Sequence, residues 1–154
     1  MSMVISFTRV TPEALDKAVD DPEWAEEHLD ELDLTDEPDG YLDKAWDGIQ
    51  FLLNAADVPV DIREGGDFID EDGNFFAWTA GDIERAAQHL RATPFEQLAR
   101  HFDPARMTEL DVYPGIWERD DDALDYLKAH YEVLVRFFDA AAASGSAAIM
   151  CFSY

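Results

Sequence analysis

The chain has 154 residues, 47% of them hydrophobic and 12% aromatic, enough to bury a core and too apolar for a disordered chain. With 35 Asp and Glu against 11 Lys and Arg, the formal net charge of -24 disfavours binding to nucleic-acid phosphates and to anionic membranes. The one cysteine, Cys151, excludes an intrachain disulfide and a cysteine-based zinc site.

The length fits a single domain over residues 1–154. The first residues lack the basic leader and apolar core of a secretory signal, and no apolar run is long enough to span a bilayer. A cytoplasmic location is the expectation. The acidity suits a basic protein partner, divalent cations or solubility at high salt. The use of only three lysines, Lys17, Lys44 and Lys128, weighs towards compositional bias as its origin.

Residues 3–10 alternate enough to predict a strand with Ile5 and Phe7 on one face and Ser6 and Thr8 on the other. Thr11-Pro12 and Asp21-Pro22 each read as a helix start, an oxygen-bearing cap followed by proline at the first helical position. Thr93-Pro94 and Asp103-Pro104 repeat this pattern. Residues 26–39 are dominated by acidic side chains and read as a helix end followed by a solvated loop.

A central amphipathic helix is predicted over roughly 41–56. Leu42, Trp46, Ile49 and Leu53 fall on one helical face, which Ala45, Leu52 and Ala56 widen. Gly40 precedes it as a turn or cap. Gly48, inside it, points to close packing by another element, ahead of a ligand space beside Trp46 and Asp47.

Residues 57–74 lack periodicity. Gly65-Gly66 and Asp72-Gly73 mark turns. The Asp70–Asn74 segment fails the calcium-loop pattern and reads as a hairpin turn, and Phe75–Trp78 after it reads as either a short strand or an extended packing segment. Thr79 and Asp82 predict a capping box for a helix over 80–92 that buries Ile83, Ala86, Ala87 and Leu90. Thr93 and Glu96 predict a second box. Tyr113-Pro114-Gly115 reads as a turn. The last helix, 121–143, carries an apolar stripe from Leu124 to Phe138 and ends at Gly145. The apolar run from Ala147 reads as a buried strand beside the first. The fold class is therefore α+β, a small sheet containing both terminal strands and packed with several helices.

Three stretches together carry a family resemblance: Lys-x-Trp-Asp-x-Ile-x-Phe-Leu-Leu at Lys44–Leu53, Tyr-Pro-x-x-Trp at Tyr113–Trp117, and the last helix with its Ser-Gly-Ser-Ala-Ala-Ile strand. The chain resembles the YfbM-like family, domain of unknown function 1877, over nearly its whole length. The resemblance implies a compact α+β domain in bacteria and brings no activity or catalytic residues.

The candidate ligand-binding residues are Lys44, Trp46, Asp47, Tyr113 and Trp117, since aromatic walls with a carboxylate suit a pocket. Packing is the stronger reading of Trp46, which lies on the apolar face. His28, His89, His101 and His130 have no metal-ligand spacing. No Gly-x-Ser-x-Gly elbow, Walker loop or dinucleotide fingerprint occurs, so no catalytic residue, metal or cofactor is predicted. Cys151, in an apolar strand, reads as an inert core residue. The favoured function is a non-enzymatic acidic protein that binds a basic protein partner. The alternative is a small-molecule-binding or hydrolase-like domain with a pocket near Trp46, Asp47, Tyr113 and Trp117.

Overall fold

The apolar runs at the two ends of the sequence pair with each other over their whole length. In a computed structural model, which describes residues 3–32, 40–70 and 73–153, they form β1 (Val4–Val10) and β5 (Ala147–Ser153), antiparallel from Val4 opposite Ser153 to Val10 opposite Ala147. Between them come α1 (Pro12–Asp20), α2 (Pro22–Leu32), β2 (Gly40–Asp43), α3 (Trp46–Ala55), β3 (Asp67–Phe68) and β4 (Phe75–Trp78). There follow α4 (Ala80–Arg91), α5 (Phe95–Ala99), α6 (Pro104–Glu109) and α7 (Ala123–Ala143). The sheet order is β2-β1-β5-β4-β3, all antiparallel, so the fold is α+β with β5 in the middle. The acidic stretch 33–39, Glu71 and Asp72 of the predicted turn, and the extreme residues 1, 2 and 154 lie outside the described residues.

A strand buried on both faces reads as a continuous apolar run, and β5 is one. Ala148, Met150 and Phe152 join Ile5, Phe7, Phe76 and Trp78 in a large core with α3, α4 and α7. Ala147 and Ile149 join Val10 and Ala77 in a smaller core under α1 and α2. Cys151 is half-buried at the margin of that second core.

Three of the four predicted threonine- or aspartate-proline caps form. Thr11 Oγ1 accepts the Ala14 N–H at 3.1 Å, Asp21 Oδ1 that of Trp24 at 3.2 Å, and Asp103 Oδ1 that of Arg106 at 3.1 Å. The box at α4 is reciprocal, with Asp82 N–H to Thr79 Oγ1 and Thr79 N–H to Asp82 Oδ2, each 3.1 Å. The predicted Thr93–Glu96 box does not form. Thr93 is buried and turns its hydroxyl back to donate to the His89 carbonyl at 2.8 Å, so it closes α4, and Pro94 stands at the start of α5 without a side-chain cap.

The central helix begins at Trp46, several residues later than its periodicity predicts. Residues 40–43 form the edge strand β2 opposite β1. The reason is steric. A Cβ at Gly40 would lie 2.7 Å from both the Cβ and the carbonyl oxygen of Phe7, so only glycine admits this approach of the two backbones. Leu42 is buried through strand alternation, although its spacing to Trp46 also fits a helix. Gly48 meets the packing expectation: a Cβ there would fall 2.6 Å from Trp117 Cη2 and 2.7 Å from Leu127 Cδ2.

Tyr131 locks α7 to the end of α4. Its hydroxyl donates to the Thr93 carbonyl at 2.7 Å, and burial pushes its pKa up to about 12. The folded pKa exceeds the usual tyrosine value of about 10. The associated stability is therefore complete below pH about 10 and is lost as pH rises through about 12. Tyr131→Phe is expected to cost about 1–3 kcal/mol at pH 7, because it leaves a buried carbonyl unpaired. In urea titrations, the gap between wild type and variant should narrow between pH 10 and 12. A gap that stays constant through that window would argue against this origin.

Candidate functional site

Three of the five predicted site residues meet at one open cleft. Its volume is about 310 Å³, and Trp46, Asp47 and Tyr113 line it. Their mutual geometry is tight. Asp47 Oδ2 accepts the Tyr113 backbone N–H at 2.9 Å, and the Trp46 and Tyr113 ring centroids are 6.0 Å apart. Met3 is held from both sides, its carbonyl accepting the Trp46 indole N–H at 3.0 Å and its N–H donating to the Tyr113 hydroxyl at 2.9 Å. Trp46 is 5% exposed and packs edge-on against Phe152 with centroids 5.5 Å apart. It is thus a core residue first, and only its small exposed part reaches the cleft. The Tyr113-Pro114-Gly115 turn is observed, with a cis Tyr113–Pro114 bond and the Gly115 N–H donating to the Val112 carbonyl at 3.1 Å.

The other two residues stand apart. Trp117 is 2% exposed, lies against Gly48 and donates its indole N–H to the Val112 carbonyl at 2.8 Å. Lys44 is absent from the cleft lining, and its backbone N–H donates to the Tyr126 hydroxyl at 3.2 Å. That hydroxyl in turn donates to Asp43 Oδ2 at 2.7 Å, while the Tyr41 hydroxyl donates to Oδ1 at 3.2 Å. The Tyr126 bond is the main reason the Asp43 carboxyl sits below the usual carboxylate range, and burial raises the Tyr126 hydroxyl. This cluster ties β2 to α7.

The cleft also contains residues that sequence patterning did not single out: Asp61, Arg63, Glu64 and Asp111 at the rim, and Gln50 within. Gln50 explains how a segment without periodicity is held. Its side chain donates to the Val60 carbonyl at 2.9 Å and accepts the Ile62 N–H at 2.8 Å, pinning 60–62 to α3. Asp111 arrives by a different route. It adopts φ 56° just after α6, where the Val112 N–H donates back to the Met107 carbonyl at 2.9 Å. Arg63 is the one cation between residues 45 and 84, a sequence signal that points to it. Its guanidinium lies 4.5 Å from the Phe152 ring centroid and 5.9 Å from that of Trp46.

A second, more apolar groove of about 410 Å³ lies where α4, α5 and α7 meet, with Leu90, Phe95, Tyr131 and Val135 below and two arginines and two glutamates around it. Among the described residues, no three His, Cys, Asp or Glu side chains are grouped to hold a metal ion. No helix among them is long and apolar enough to cross a membrane.

A family model described as a domain of unknown function, DUF1877, matches residues 1–151. The chain is also similar to the crystal structure of YfbM from Escherichia coli, a protein of unknown function. That likeness has a TM-score of 0.73 at 17% identity and covers 97% of this chain and 99% of that one. At that identity it is a likeness of fold. No curated protein matches the chain.

Proposed function

The chain belongs to the DUF1877 family, and from that premise we propose that it is a non-enzymatic binding protein that takes a basic side chain of a protein partner into the Trp46 cleft. The observation that carries this reading is the cleft's composition. Four carboxylates, Asp47, Asp61, Glu64 and Asp111, line the same cleft as Tyr113 and the small exposed part of Trp46. Carboxylates beside aromatic groups suit a guanidinium or ammonium, which gains charge-assisted hydrogen bonds and a favourable aromatic face together. The net charge of -24 steers a basic partner towards the surface before any contact forms. Binding is favoured over hydrolysis because Asp47 already holds the Tyr113 N–H and the other three carboxylates, Asp61, Glu64 and Asp111, are exposed to solvent, not enclosed in a dry pocket that would tune one of them as an acid or base.

Titration calorimetry with a short arginine-containing peptide at low salt tests the reading. The double variant Asp61→Asn/Glu64→Gln removes two exposed carboxylates and is expected to weaken binding about three- to tenfold. Glu13→Gln/Asp16→Asn removes the same charge from the exposed face of α1 and should leave binding nearly unchanged. Equal losses in both variants would reduce the effect to general ion exchange and reject the site.

A further inference from the structure

Resting on that reading, we infer that the cleft binds a basic residue together with its free α-carboxylate, with Arg63 as the carboxylate receptor. The reason begins with a conflict. A site for a bare cation is opposed by an arginine in its own wall, and Arg63 lines this cleft. With acidic residues on both sides of the cleft, the ordinary fate of that arginine is an ion pair. Among the described residues it makes none, and it makes no hydrogen bond. Its guanidinium carbon lies instead over the Phe152 ring, 4.5 Å from the centroid, and 5.9 Å from that of Trp46.

A contact with an aromatic ring uses none of the guanidinium's N–H donors as hydrogen bonds to oxygen, and that fork of donors can take a carboxylate through two parallel hydrogen bonds. The segment carrying it is anchored, because Gln50 binds the backbone at Val60 and Ile62, the residue before Arg63. Arginine and carboxylates on one small cleft thus form a two-charge receptor. A ligand bearing both charges meets each with its opposite, whereas a basic side chain in mid-chain leaves Arg63 unanswered. At about 310 Å³ the cleft is at the small end for ligand pockets, roughly 300–1,000 Å³, which suits one terminal residue. The same chemistry is offered by the C-terminal residue of a partner chain and by a free basic amino acid.

The test is calorimetric titration of the whole protein with four probes: acetyl-Gly-Gly-Arg with a free carboxylate, the same peptide as its amide, L-arginine, and agmatine, its decarboxylated form. Wild type is expected to bind the acid forms at least about tenfold more tightly than the amide or agmatine. Arg63→Gln should abolish that difference and Arg63→Lys should restore part of it, with thermal melts showing that both variants fold. Tighter binding of the peptide acid than of L-arginine assigns the ligand to a chain end, and the reverse assigns it to the free amino acid. If the amide binds as well as the acid, this inference fails while cation binding stands. If no probe binds, both readings fail.

Discussion

Replacing Phe138 by alanine is expected to lower stability by about 3–5 kcal/mol, the range for truncating a fully buried aromatic ring. Phe138 is 1% exposed and lies where the long helix α7 meets the sheet. It packs edge-to-face on Phe7 of β1 and Trp78 of β4, with centroids 5.1 and 5.4 Å apart, and against Phe137 at 5.8 Å. Removing it therefore opens a cavity that three neighbours cannot all close, and forfeits edge-to-face contacts besides the transfer energy. Urea denaturation gives the loss as a shift of midpoint with an unchanged slope. Phe68→Ala is the comparison. That ring is 70% exposed on the edge strand β3 and should cost under about 1 kcal/mol. Comparable losses for the two would show that α7 does not pack on the sheet through Phe138.

Trp46→Ala is the second large effect, again about 3–5 kcal/mol, and it decides what this indole is for. A side chain that chiefly walls a pocket costs little stability when truncated. A core residue costs several kcal/mol, and Trp46, 5% exposed, with its N–H on the Met3 carbonyl and its ring against Phe152, is placed as the latter. Trp46→Phe keeps much of the packing, loses the N–H···O bond and should fall in between, near 1–2 kcal/mol. A loss under about 1 kcal/mol for Trp46→Ala would move this residue from the core to the cleft. The two roles also separate in binding: Asp61→Asn/Glu64→Gln should leave stability almost intact while weakening the ligand, because both side chains are exposed.

Much of the fold could be read from residues whose signal is local. The capping box at Thr79 and Asp82, the stripe of α7 and the apolar run of β5 each act within one element, and each appears where its pattern lies. The failures occur where a distant contact overrides a local preference. Gly40–Asp43 carries helical spacing, yet Phe7 of β1 draws it into the sheet. Thr93 has the chemistry of a cap, but burial beneath the Tyr131 hydroxyl turns it to the preceding helix. The cleft was legible in part for the same reason. Trp46 and Asp47 are adjacent on one helix, and Tyr113 belongs to a recognisable turn. Trp117 has the same aromatic character, but its ring fills the space over Gly48 and cannot face the cleft. Arg63 and Asp61 come from a segment without periodicity, located by Gln50, and no spacing rule connects them to Trp46.

The position of β5 in the middle of the sheet has a consequence for how the protein comes into being. During synthesis β1 emerges early, but its main partner begins only at Ala147. Until then the apolar faces of β1 and β4 lack the strand that joins them, and helices α3 and α4 have no finished surface to cover. Closing the sheet is thus a late, long-range event that must overcome the entropy of a very large loop. While the residues between β1 and β5 are synthesised, β1 has only the short strand β2 beside it, and its other edge stays open to wrong pairing with another chain.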